Sequence, residues 1–99
     1  MKTVKFREWD CTIKFAKYGN GRTAIQLVDS ETYEPICTAT VNVVDEDLLD
    51  GFVHIKNYSE NEGILHTLSS AGIIHDTGLT VPCDHTEANV CQLLYKDEI

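Results

Sequence analysis

Four residues in the last third of the chain, His75, Cys83, His85 and Cys91, carry the softest ligand chemistry it has. Thiolate and imidazole together are the donor set of tetrahedral zinc. Structural zinc sites present paired ligands about two to four residues apart, whereas Cys83-Asp84-His85 interposes one. The count fits zinc and the spacing does not. No metal and no other cofactor is therefore expected, and a zinc-stabilised structural or regulatory domain stands as the alternative reading. Cys11 and Cys37 fall in the apolar rows of strands and read as core residues. The chain shows no nucleophile elbow, glycine-rich phosphate loop or metalloprotease signature. His66, which follows Glu62 at helical spacing, and the pair Ser69-Ser70 read as solvent-facing helix positions. A non-enzymatic protein is expected.

The second chemistry is electrostatic. Acids cluster at Asp29, Glu31 and Glu34, at Asp45, Glu46, Asp47 and Asp50, and at Glu60 and Glu62. Rows of carboxylates can occupy a basic groove in place of nucleic-acid phosphates. Tyr33 stands in the first cluster as an aromatic anchor, with Tyr18 and Tyr58 near other loops. Loops and helix starts also favour acids in their own right, Glu60 and Glu62 complementing a helix dipole. Sixteen acids against eight Lys and Arg give a formal net charge of -8, which argues against binding phosphate backbones or anionic lipid directly. Residues 1–22 hold six bases and two acids, and residues 23–99 hold two bases and fourteen acids. That asymmetry fits either two functional faces or a basic strand paired with acidic neighbours in one sheet.

These residues must be carried by one domain, because 99 residues is a single domain's length. No apolar run approaches the roughly 18 residues that a membrane span needs. Nor does an apolar stretch follow Lys2 and Lys5, so no signal peptide is expected, and the protein is placed in the cytoplasm with its thiols reduced. Trp9, Cys11, Ile13 and Phe15 alternate with polar neighbours, which predicts a strand. Tyr18-Gly19-Asn20-Gly21-Arg22 predicts a tight reversal into a second strand over Thr23 to Val28. After the polar stretch ending at Pro35, Cys37, Ala39, Val41 and Val43 alternate as a third strand, completing an antiparallel meander. Asp45 to Gly51 reads as a loop and Phe52 to Ile55 as a short strand. Ser59-Glu60-Asn61-Glu62 fits a capping box, predicting a helix over about residues 60–71 with Ile64, Leu65, Leu68 and Ala71 on its apolar face and Gly72 as its left-handed stop. Gly63 inside that helix suggests close packing against a strand. Leu79 to Cys83 reads as an edge strand limited by Pro82, and Glu87 to Tyr95 as a final strand before a fraying tail, Lys96 to Ile99. The expected fold is α+β, an antiparallel sheet of about five to six strands with one helix packed on one face.

Read end to end, Trp9 to Phe15, Lys17-Tyr18, Gly21 to Asp29, Glu34-Pro35-Ile36, Ala39 to Asn42 and Ile55 to Gly63, running on to Leu68 and Ala71-Gly72-Ile73, resemble a family of short bacterial proteins of unknown function from phages, plasmids and other mobile elements. Tyr58-Ser59-Glu60-Asn61-Glu62-Gly63 is the most specific block, and the Cys/His-bearing C-terminal third departs from the pattern. The resemblance transfers no catalytic residue. It implies an accessory or anti-defence factor, anti-CRISPR-like, that inhibits or modulates a host defence or nucleic-acid-processing complex by binding protein. Asp29, Glu31, Tyr33, Glu34, Asp45, Glu46, Asp47 and Asp50 are the expected partner-binding residues. An uncovered sheet face would also suit a homodimer.

Overall fold

The computed structural model describes residues 3–94, and holds in order β1 (Thr3–Phe6), β2 (Trp9–Lys17), β3 (Thr23–Asp29), β4 (Pro35–Thr38), β5 (Phe52–Ile55), a 3-10 turn (Ser59–Asn61), α1 (Ile64–Ser70), β6 (Ile74–Cys83) and β7 (Thr86–Leu93). Among the described residues the strands form two antiparallel sheets, ordered β1-β2-β3-β4 and β5-β7-β6. The α+β class holds; the single sheet of five to six strands is corrected to sheets of four and three.

The β2–β3 hairpin follows its sequence. Tyr18 N–H donates to the Arg22 carbonyl at 2.8 Å, Gly21 N–H donates to the Tyr18 carbonyl at 2.9 Å, and Gly21 takes the positive φ of 86° that the reversal requires. Register pairs Ile13 with Leu27 and Phe15 with Ile25, so one face of the hairpin is apolar. That face meets Val53, Ile55 and Cys91 of the second sheet and Ile64 and Leu68 of α1 in one core. Each fully buried Ile or Leu contributes about 1.5–3 kcal/mol. Trp9, placed by alternation in the same row, instead stands at the strand's start opposite Phe6 and is 36% exposed.

Two strand expectations are corrected. Thr3–Phe6 pairs with β2 through a tight Arg7-Glu8 turn, adding a strand that four residues of alternation were too few to signal. The third strand starts earlier, at Pro35, where an edge position tolerates the missing N–H, and it stops at Thr38. Beyond it the chain changes sheets. Ala39 N–H still donates to the Ile25 carbonyl, while Lys56 N–H donates to the Ala39 carbonyl, Val41 N–H donates to the His54 carbonyl and Thr40 bridges Ile55. Residues 39–41 thus stitch β3 to β5. α1 touches both β1 and β6, the outer strands of the joined series, and spans its two ends.

The helix is shorter than the capping box implied. Ser59 takes φ 55° within the 3-10 turn, and neither helical start carries a side-chain cap from its own N-cap residue. The Asn57 side-chain oxygen accepts instead from Gly63 N–H at 3.1 Å and Leu65 N–H at 3.0 Å. Gly63 has φ 97°, and no neighbouring atom lies within 4 Å of where a Cβ would stand, so its role is conformational rather than close packing. The C-terminal stop is as expected: Gly72 has φ 75°, and Ile73 N–H closes back on the Leu68 carbonyl at 3.0 Å. Leu79 to Cys83 falls within β6, an edge strand, and residues 87–93 of the expected final strand fall within β7. Tyr95 and the tail expected to fray, Lys96 to Ile99, lie outside the described residues. Among the described residues no helix is long and apolar enough to cross a membrane.

Candidate functional site

The acids expected to bind a partner occupy two separate places. The first is the turn between β3 and β4. Asp29 builds it: one carboxylate oxygen accepts from Glu31 N–H at 2.8 Å and Thr32 N–H at 3.2 Å, and its carbonyl accepts from Tyr33 N–H at 2.8 Å. The carboxylate of Asp29 is therefore structural. Glu31, Tyr33 and Glu34 project outward, with Tyr33 64% exposed and at φ 62°. Cys11 registers with Asp29, and Ser30 N–H donates to the Asp10 carbonyl at 3.0 Å, which brings Trp9 and Asp10 to the same end of the sheet. Trp9 is an aromatic that alternation assigns to the core; it stands outside because it directly follows the Arg7-Glu8 reversal, which the sequence did not signal.

The second acidic place is the connection from Val41 to Gly51. It sits at the other end of β3, about 20 Å away at ~3.3 Å per strand residue. The two clusters do not form one row. Arg22 fastens this connection: its guanidinium donates to the Val43 carbonyl at 2.7 Å and the Glu46 carbonyl at 2.6 Å, and Asn20 donates to the Asn42 side-chain oxygen at 3.2 Å. Asp45, Asp47 and Asp50 are exposed, Glu46 is half-buried, and Leu49 is 76% exposed. A cavity of about 630 Å³ lies between the loop and the β2–β3 turn, with Phe15, Phe52 and Leu48 as apolar wall and Lys17, Arg22 and Asp50 as charges.

Among the described residues the one ion pair is Lys56–Glu60 at 2.5 Å, while in the basic N-terminal strands Lys5 stands opposite Asp10 in the register of β1 and β2. Tyr18 and Tyr58 are half-buried and already engaged, Tyr18 with the Thr40 hydroxyl at 2.9 Å and Tyr58 with the Cys83 sulfur at 3.4 Å. Of the three tyrosines near loops, Tyr33 is the exposed one. His66 and Ser70 are solvent-facing as expected, while Ser69 is half-buried, with its hydroxyl oxygen unpartnered.

The hairpin β6–β7 keeps the four soft ligands apart. Cys83 registers with Thr86 at the turn, with His85 between them, whereas His75 and Cys91 lie toward the opposite end. From Thr86 to Cys91 is about 17 Å along the strand. The cysteines are buried and the histidines exposed, and among the described residues no group of three or more His, Cys, Asp or Glu is placed to hold a metal ion. Burial pushes the Cys91 thiol up to about 12, with Asp76 adding to it, and the half-buried Cys37 up to about 11. Neither is poised as a nucleophile.

The structure adds a residue that motif reasoning passed over. His54 is 1% exposed, and both ring nitrogens lack a hydrogen-bond partner. Burial lowers its pKa from the ordinary 6.5, and the positive charge of Arg22 lowers it further, against a smaller opposing effect from Glu46. A histidine inside the apolar quartet Phe52-Val53-His54-Ile55 was the signal available in the sequence. Compared with known proteins, the chain matches no family model, no curated protein and no solved structure.

Proposed function

We propose that this chain is a non-enzymatic interaction protein of a phage or other mobile element, acting in the cytoplasm to inhibit or modulate a host defence or nucleic-acid-processing complex by binding protein. The observation that carries the reading is the exposed Tyr33 at the tip of a turn whose free carboxylates are Glu31 and Glu34, with Trp9 and Asp10 beside it. A groove evolved for phosphates offers arginines and lysines, which pair with carboxylates and stack on aromatic faces. An acidic turn bearing Tyr and Trp supplies both contacts, in the manner of a phosphate mimic. The exposed acids Asp45, Asp47 and Asp50 at the other end of the sheet make a second patch, and a partner using both must span about 20 Å. The protein itself contacts neither nucleic acid nor membrane and needs no cofactor.

Capture from nuclease-treated host lysate, beside an unrelated control of matched net charge, tests the proposal. A specific nucleoprotein effector is expected with the protein and not with the control. Glu31→Lys with Glu34→Lys, and separately Asp45→Lys with Asp47→Lys, locate the contact, with circular dichroism verifying the fold. Undiminished capture by both double variants overturns the acidic-surface reading. Recovery of the same generic basic proteins with bait and control overturns the interaction reading as a whole.

A further inference from the structure

A buried imidazole with two unpartnered nitrogens is tolerated only while it stays neutral, because charging it would strand a cation away from water. His54 is in that position, and its strand is flanked on one side by residues 40–41 of the connection that follows β4. In β5, Val53 and Ile55 enter the shared core, so alternation turns His54 to the opposite face together with Phe52, which walls the 630 Å³ cavity. Along that stretch β5 pairs on one side with β7, where the residue opposite His54 is the uncharged Val90, and on the other with residues 40–41, Val41 N–H donating to the His54 carbonyl at 3.0 Å. The charged groups whose fields reach the ring are Arg22, on the turn before β3, and Glu46, on the 41–51 connection.

The same Arg22 holds that connection. It donates to the carbonyls of Val43 and Glu46, and no regular element intervenes between β4 and β5. From the orphaned, buried His54 and a loop fastened by the same guanidinium whose charge acts on it, we infer that the 41–51 connection is an acid-sensitive latch: closed over a neutral His54, and released when the ring takes up a proton.

The direction follows from linkage. His54 in the closed form has a pKa below the 6.5 it would show in water, so the open form binds more protons between those two values. Closure is therefore complete above pH 6.5 and weakens as pH falls below it. One coupled proton shifts the open-to-closed ratio by up to about tenfold per pH unit within that window. His66, His75 and His85 are each exposed, and none is among the groups acting on His54. The inference does not rest on the interaction reading; release would also move Asp45, Glu46, Asp47 and Asp50.

Hydrogen exchange of peptides covering 41–51, corrected for the intrinsic pH dependence, tests the latch between about pH 7.5 and about pH 5.5, a range that brackets the ordinary imidazole value. Protection is expected to drop by up to about tenfold in the wild-type protein, with peptides of β2 and β3 unchanged. His54→Leu, of similar volume and unable to charge, should hold the loop's protection constant across the same range. Loop protection that is flat in the wild type, or that falls equally in His54→Leu, overturns the inference. Should that variant fail to fold, an NMR titration of the wild-type imidazole decides: titration below 6.5 coupled to loop resonances supports the latch, and titration at or above 6.5, or uncoupled to the loop, overturns it.

Discussion

At the scale of single residues, the four cysteines show how burial sets chemistry. A thiol acts through its thiolate, and burial disfavours the charged form. Cys37, raised from 9.0 to about 11 chiefly by desolvation, loses about hundredfold in thiolate fraction near neutral pH, and Cys91 loses more. Alkylation by iodoacetamide at pH 7, followed by peptide mapping, is expected to label Cys37 at least about a hundredfold more slowly in the native protein than in urea. Labelling of native Cys37 at the free-thiol rate would contradict its placement. The core assignment of Cys11 was legible because a strand's period of two fixes which side chains share a face. Trp9 sits in the same row and escapes burial because rows end where strands turn.

At the scale of elements, Ser59 to Glu62 fits a capping box in sequence, and in the structure the stretch from Lys56 to Gly63 around it serves as a junction. Asn57 caps α1, the Asn61 amide donates to the Thr38 carbonyl at 2.7 Å, Lys56 pairs with Glu60, and the Glu62 carbonyl accepts from Arg7 at 3.3 Å. This stretch thus ties α1 to β4 and to the β1–β2 turn. Asn57→Ala is expected to cost about 0.5–2 kcal/mol, the usual loss for removing a helix cap. Ser59→Ala should cost only a few tenths, since its side chain caps nothing. Urea midpoints at equal m-value measure both, and the reverse ranking would reinstate the capping box. Gly63→Ala meets open space but a left-handed φ of 97°, so a loss of about 1–2 kcal/mol is expected from backbone strain alone.

At the scale of the whole molecule, a net charge of -8 with one described ion pair means that like-charge repulsion is offset by little local pairing. Screening should therefore stabilise the fold. Raising sodium chloride from about 0.05 M to about 0.5 M shortens the Debye length from about 14 Å to about 4 Å, and the thermal midpoint is expected to rise, each kcal/mol recovered being worth about 4–8 °C for a domain of this size. A midpoint that falls with salt would mean that attractive pairs, rather than repulsion, dominate the surface. The separation of the two acidic patches also belongs to this scale, because it follows from the length of β3 and not from either turn.

The sequence by itself determined the class, the β2–β3 hairpin, the apolar face of the helix, its glycine stop and the edge position of β6, because each rests on local periodicity or on one residue's backbone freedom. Tertiary structure alone decided where the chain changes sheets at residues 39–41, which side chain caps α1, and how Arg22 and His54 come to share one loop. Those outcomes depend on partners that periodicity does not name, 21 residues apart from Arg22 to Val43, 14 from Ile25 to Ala39 and 6 from Asn57 to Gly63.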